Sequence, residues 1–281
     1  MPFLVALLAS VFYGSADFFG GYASRRGSVT IVTALTQILG MSVLLVAAVL
    51  IPGAPTRADV MWAVSAGVSG GVGVLLLYLA LSLGSVSAVA PLISLIAVAV
   101  PVGVGLLLGE RPGLLPLSGI ALGLLAIVAI SGGGAHHETG VSTRVTGRAL
   151  AVAVASGVLV GGFLVAIGRI GPGGGVWPLV ISRGTGAVIV SVVALVRRAK
   201  WRIAPGSLGV LLLCGALDSG ANLLYLWAVQ RAPLSLTATL VSLAPASTVV
   251  LAQIVFRERL TAQQKAGIAL ALVAIVLISQ R

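Results

Sequence analysis

The stretch Gly119–Ser131, GIALGLLAIVAIS, returns near the end of the chain as Gly267–Ser279, GIALALVAIVLIS, with ten of thirteen positions identical at a constant offset of 148 residues. The same offset lays Glu110 and Arg111 on Glu258 and Arg259, and Ser94 and Leu95 on Ser242 and Leu243. Apolar helices match one another by chance, but chance does not also hold a glutamate and an arginine in register. An internal duplication accounts for both, and the fold then turns on how many elements one copy contains.

Of the 281 residues, 59% are hydrophobic and only 8% are charged, with a mean hydropathy of +1.18. A soluble domain carries about a quarter charged residues. A chain this apolar has too little polar surface to cover itself in water, so the excess faces lipid. The formal net charge of +11 would suggest nucleic acid in a soluble protein, but the arginines fall in short clusters between apolar runs. No basic stripe with interleaved aromatics is present, and no nucleic-acid partner is expected. Cys214 is the single cysteine, which rules out an internal disulfide or a cysteine metal cluster and suggests a small packed residue. The first apolar run starts at Pro2 with no basic segment before it, so it is expected to be a retained span and not a signal peptide.

A helix needs about 20 apolar residues to cross the hydrocarbon. Ten such runs are found: Phe3 to Tyr22, Val29 to Ile51, Val60 to Leu83, Val86 to Leu108, Leu114 to Ser131, Gly147 to Gly168, Val176 to Val196, Ser207 to Gln230, Leu234 to Phe256 and Gln263 to Ser279. The only sizeable break, 132–146, holds Gly132, Gly133, Gly134, His136, His137, Glu138 and Thr143, a flexible polar linker between repeats 1–131 and 147–281. Five helices per copy is an odd number, so the second copy must enter the membrane from the opposite side. The expectation is an all-α integral membrane protein of ten transmembrane helices in two inverted five-helix repeats. Secondary transporters are built this way, with the substrate near the midplane between the halves.

The two helix-loop-helix junctions carry a resemblance. Ala80, Ser87, Pro91, Glu110 and Arg111 recur in kind as Ala228, Ser235, Pro245, Glu258 and Arg259. With a proline-containing fourth helix, a Gly-Glu-Arg-type turn and a small-residue fifth helix, the chain resembles EamA-type ten-helix members of the drug/metabolite transporter superfamily over nearly its whole length. Gly109 precedes the first glutamate as that pattern expects; Arg257 precedes the second and departs from it. The resemblance implies a small-molecule exporter in a cell membrane, bacterial inner membrane in the main, and does not specify the substrate.

Lipid offers no hydrophobic drive for helix association, so small residues must let backbones approach, and Gly67 with Gly71, Gly119 with Gly123 and Gly157 with Gly161 have the spacing for it. Pro91, Pro101, Pro233 and Pro245 lie in or beside helices four and nine, where each removes a backbone donor and can kink or break the helix. Loop charge favours one side, with Arg25, Arg26, Arg144, Arg148, Arg197, Arg198, Lys200, Arg202, Arg257, Arg259 and Lys265 against Arg57, Arg111, Arg169, Arg231 and Arg281. Taken alone the bias puts the first group in the cytoplasm and both termini outside, whereas the resemblance implies cytoplasmic termini.

A charge at a helix centre costs about 2.5–3.5 kcal/mol on insertion scales, so each deep one needs a reason. Asp59 falls at a loop and is expected to be solvated. Asp17 shares a helical face with Ser10, Tyr13, Gly14, Gly21 and Ser24, and either lines a transport cavity or accepts from a neighbour such as Arg25. Asp218, Asn222 and Tyr225 recur at i, i+4 and i+7 on helix eight, one turn after Cys214, and are expected to wall the cavity. The corresponding residues in helix three are Gly70, Val74 and Leu77, so the polarity sits in one repeat only. Arg183 is the one clearly intramembrane base, expected to pair with Asp218 or Asp17, with anion binding as the alternative. Gln37 stands at a roughly matching place in helix two. Glu110 with Arg111, and Glu258 with Arg259, are expected to neutralise each other at helix ends as anchors. Trp62, Trp177 and Trp201 suit an aromatic belt, while Trp227 is expected to lie deeper against the cavity.

No Ser/His/Asp set, His-Glu-x-x-His pair or phosphate loop is present, and His136 and His137 are adjacent loop residues. Neither a metal nor a cofactor is expected. The expected function is a secondary transporter of small metabolites or drugs, an exporter working by alternating access with protons as a candidate coupling ion. A membrane-embedded enzyme or a lipid-linked-sugar carrier is the alternative. Its expected partners are a small-molecule substrate, protons and the lipid bilayer, and the chain is expected to act as a monomer. If Arg183 lies close to one acid, that acid becomes an ion-pair partner and the other aspartate is the candidate to exchange protons; if neither is paired, either can do so.

Overall fold

The computed structural model describes residues 1–24, 26–83, 86–132, 147–203, 206–256 and 261–280. The linker histidines, Arg25, Glu258, Arg259 and Arg281 lie outside the described residues. The chain forms α1 (Pro2–Ser24), α2 (Val29–Leu50), α3 (Arg57–Leu83), α4 (Val86–Leu107), α5 (Leu114–Gly132), α6 (Gly147–Gly168), α7 (Trp177–Val196), α8 (Leu208–Val229), α9 (Leu234–Val241), α10 (Ala244–Phe256) and α11 (Ala262–Ser279). Eight stretches are long and apolar enough to cross a membrane, α9 and α10 counting together as one, and the shorter apolar runs Leu92–Leu107 and Leu114–Ile130 complete ten.

The ninth span is therefore not the single helix expected from its hydropathy. Pro245 has no N–H to give the carbonyl of Val241, and its ring crowds that carbonyl. The helix ends at Val241, Ser242 and Leu243 form a turn in which Leu243 N donates to the Leu240 carbonyl at 3.2 Å, and α10 restarts at Ala244. By contrast α4 runs unbroken through both Pro91 and Pro101. At the other extreme, α3 begins three residues earlier than its apolar run suggests. Thr56 Oγ1 accepts from Asp59 N at 3.2 Å and Asp59 Oδ2 accepts from Thr56 N at 2.9 Å, a reciprocal cap that extends the helix toward the loop.

The inversion of the repeats is visible where α5 meets α11. A Cβ placed on Gly119, early in α5, would come within 2.8 Å of Ile278 late in α11, and one placed on Gly267, early in α11, within 2.8 Å of Ile130 late in α5. Early meets late on both helices, so they run antiparallel. Gly119 and Gly267 are repeat mates, as are Ile130 and Ile278, so the contact maps onto itself by a two-fold axis in the membrane plane. A methyl group at either glycine would push the backbones apart, which is why a small residue stands there.

The repeats are interleaved. α3 packs on α6 and α7 of the second copy, and its mate α8 packs on α1 and α2 of the first. Gly67 and Gly71 bring α3 close to Ser182, Thr185 and Gly186 of α7, while Gly157 and Gly161 bring α6 against Ile96 and Val100 of α4. Fully buried Leu44, Ile127, Ile167, Leu179 and Tyr225 fill the interior, and large apolar side chains such as Val49, Leu107 and Leu195 point outward, where hydrocarbon is the solvent.

Candidate functional site

A polar cavity of about 390 Å³ lies between the two repeats and is lined from α1, α2, α3, α4, α6, α7, α8, α9, α10 and the turn that joins the last two. Its lining runs from Tyr13 in the middle of α1 to Ser24 at its C-terminal end, and from Gln37 back to Val32 near the start of α2. The cavity thus reaches from the middle of the bundle to the end where α1 joins α2. The break in the ninth span contributes Ser242 and Pro245 to its wall, and Ser94 of α4, the repeat mate of Ser242, also lines it.

At its base the Arg183 guanidinium donates through Nη1 to Gln37 Oε1 and through Nη2 to Asp218 Oδ2, a salt bridge between α7 and α8 joined to α2. The guanidinium fork is well suited to two acceptors at once, and a paired arginine and carboxylate bring no net charge into the membrane. One turn along α8, Asn222 Nδ2 donates to the Asp218 carbonyl at 2.7 Å, and its Oδ1 accepts from Tyr13 Oη of α1 at 2.9 Å. The network ties both repeats together at mid-depth. Cys214 is buried beside the same cavity, its thiol 3.2 Å from the Ala16 carbonyl.

Asp17 stands on the cavity wall one turn above Tyr13 toward the open end. It is exposed to that space, and no hydrogen bond or ion pair reaches it from the described residues. Thr33, Thr36 and Phe163 also line the cavity and were not singled out from the sequence. Two threonines in an apolar helix and one phenylalanine among many apolar residues give no signal of their own. The pairing of Ser94 with Ser242 across the repeats was legible, but not its location.

Two expected wall residues lie elsewhere. Tyr225 shares the face of Asp218 and Asn222, but it is one turn nearer the far end, where the cavity has closed; fully buried, it donates to the Leu164 carbonyl at 2.9 Å. Trp227 is 38% exposed near the end of α8, with the Arg231 guanidinium 4.3 Å over its ring and Arg231 Nη1 donating to its carbonyl at 3.0 Å. It belongs with the interfacial aromatics, as does Trp62, over which Arg169 sits at 5.7 Å.

The far end of the bundle is sealed by polar contacts between loops. Glu110 does not pair with Arg111 among the described residues. Its carboxylate accepts from Leu234 N at 2.5 Å and Ser235 N at 3.0 Å, the first free donors of α9. The residue before α9 is Pro233, which offers no side-chain acceptor, so a carboxylate from the other repeat fills the capping position and meets the positive end of the helix. Asp59 is likewise not solvated: 5% exposed, it accepts from Gly171 N at 2.7 Å and so holds the α2–α3 loop to the α6–α7 loop. Gln230 Nε2 donates to the carbonyls of Ile170 and Gly171 at 3.2 Å each, binding the α8–α9 turn to the same loop. Arg111, Arg57 and Arg169 lie at this end. No group of three or more potential metal ligands is found among the described residues.

Ten apolar crossings in two inverted repeats around a mid-depth polar cavity define a multi-pass membrane transporter. The chain belongs to the EamA-like transporter family, whose pattern matches residues 1–132 and again 147–280, and with it to the drug/metabolite transporter superfamily. A solved crystal structure 17% identical in sequence superposes with a TM-score of 0.74 over 99% of this chain and 96% of its own, which shows a shared fold. Among curated proteins the chain has no match.

Proposed function

We propose that the protein is a secondary exporter of small metabolites in a cell membrane, working by alternating access and driven by protons. The single observation that supports this reading is the cavity, which both repeats line and whose described lining runs to the α1–α2 end of the bundle, while Glu110, Asp59 and Gln230 tie the other end together. Exchanging the two ends through the pseudo-two-fold would present the same wall to the other side of the membrane. Among the described lining residues no nucleophile stands beside an aligned base, and on this reading the conformational cycle is itself the function.

Asp17 is the residue proposed to exchange the proton. Asp218 is held by Arg183, whereas Asp17 faces open space; the other ionisable groups around that space are Tyr13 on its own helix, Arg183 on α7, and Cys214 and Asp218 on α8. Efflux of metabolites from loaded proteoliposomes, with and without a pH gradient, tests the reading. Wild-type protein is expected to respond to the gradient, and Asp17→Asn to transport without responding. Gradient-driven flux retained in Asp17→Asn at wild-type yield would remove Asp17 as the coupling residue, and absence of any gradient response in the wild type would remove protons.

A further inference from the structure

We infer that the substrate is a small organic cation, an ammonium group attached to an apolar body, with the positive charge received by Asp17. The assignment rests on reading the cavity as the transport site, and it goes further by fixing the sign of the charge carried.

The argument is one of charge balance. Among the described lining residues the full charges come from Asp17, Arg183 and Asp218. The arginine looks at first like an anion site, but its guanidinium is already engaged by Gln37 and Asp218, and the salt bridge leaves no net charge at the base. An anionic ligand would have to compete with Asp218 for the same fork and leave that carboxylate uncompensated in the membrane. Asp17 is different: it faces the cavity with no partner among the described residues, and when ionised it gives the cavity one negative charge. A carboxylate that faces open space inside the membrane is satisfied by a cation arriving through that space.

The remainder of the wall fits the other part of such a molecule. Phe163 and Val160 of α6 and Val74 of α3 are apolar, and Phe163 adds an aromatic group to the wall, a residue type that attracts ammonium groups and stacks on aromatic bodies. About 390 Å³ accommodates a molecule of metabolite size. Thr33 and Thr36 stand on the α2 side as neutral hydrogen-bonding groups, with no second carboxylate among the described residues to demand a dication.

Three compounds of one shape test the sign: phenethylamine, phenethyl alcohol and 3-phenylpropionate, with sodium chloride at matched ionic strength as the inorganic cation. Ligand-induced shifts of the unfolding temperature in nanodiscs report binding, since a ligand that binds only the folded protein stabilises it. The amine is expected to stabilise the wild type at concentrations at least tenfold below those at which the alcohol or the acid acts, with no shift from sodium chloride. Asp17→Asn is expected to abolish that preference while still responding equally to amine and alcohol, which shows that the variant folds. Equal response of the wild type to all three compounds, preference for the acid, a matching response to sodium chloride, retention of amine preference in Asp17→Asn, or no binding of any compound overturns the assignment. Proteoliposome flux separates this from the broader reading: flux of the alcohol or acid alone sinks the cation and keeps the transporter, whereas amine binding without flux of any compound keeps the site and sinks the transporter.

Discussion

At the end where α1 meets α2, the described cavity lining from both repeats continues to Ser24 and Val32, and the described backbone tie there is Ser28 N to the Arg202 carbonyl at 2.8 Å. At the opposite end a backbone tie between the α2–α3 and α6–α7 connections, Ala54 N to the Gly173 carbonyl at 3.0 Å, is joined by the side chains of Asp59, Gln230 and Glu110. The two ends share a fold by duplication and differ in sequence. The mates of Asp59 and Gln230 are Ser207 and Ser82, which carry neither a carboxylate nor a primary amide. On the alternating-access reading proposed above, symmetry of the backbone would make two end states available, and the unequal side chains would bias the balance between them. A hydrogen bond to a charged group contributes about 1.5–3 kcal/mol and a neutral one about 0.5–1.5, so on that reading the ties made by Asp59 and Gln230 would favour the state in which their end is shut.

The most severe way to break this comparison is at the base of the cavity, where both ends meet. Removing either member of the Arg183–Asp218 pair leaves a lone charge in the membrane and is expected to cost about 3–5 kcal/mol. Thermal unfolding in detergent should show Arg183→Ala and Asp218→Ala much less stable than the double replacement by leucine. Equal stability of all three would mean that the pair carries no mutual compensation.

Next in size is the sealed end itself. Asp59→Ala and Glu110→Gln are each expected to lose about 1–3 kcal/mol of the ties that hold it, and Gln230→Ala about 1 kcal/mol. Cys214, the single cysteine, is buried, so Thr36→Cys on the cavity wall in a Cys214→Ala background provides the readout. A small membrane-impermeant maleimide should label it from the α1–α2 face in that background. In Asp59→Ala and Glu110→Gln, labelling from the other face should rise by roughly tenfold per 1.4 kcal/mol lost. Labelling that stays confined to one face in both variants would show that the seal lies elsewhere.

The smallest effect is expected outside both ends. Trp227→Phe weakens the Arg231 contact by about 0.5–1 kcal/mol and leaves flux unchanged, because the ring faces outward and not into the cavity. A change in substrate preference in that variant would return Trp227 to the cavity wall.

Ten crossings and the inverted pairing of α5 with α11 were legible because hydropathy and an exact internal offset are local properties of the chain. That Arg183 pairs with an aspartate was legible too, since a deep guanidinium leaves few acceptors to choose from, but the choice of Asp218 over Asp17 was not. Depth was not legible. Asp218, Asn222 and Tyr225 share a helical face by spacing alone, and nothing in that spacing says that the cavity ends between the second and the third. Nor does sequence neighbourhood predict reach: Glu110 sits beside Arg111, yet its carboxylate answers the bare donors of a helix that begins 124 residues later, after a proline unable to cap it. The turn at Ser242 was foreshadowed by Pro245, but Pro101 in α4 shows that a proline alone does not decide between a kink and a break.

The contact between α5 and α11 has an implication for how such a chain arose. Gly119 touches Ile278 as Gly267 touches Ile130, so each surface was complementary to a copy of itself before the sequences diverged. That is the requirement for two identical five-helix chains to associate as an antiparallel, two-fold pair within one bilayer. Such an ancestor would have had to insert in both orientations in equal numbers to find its counterpart. Joining the copies through a polar linker removes that gamble, because every molecule then carries one half of each orientation, and it frees the halves to acquire different side chains at their two ends.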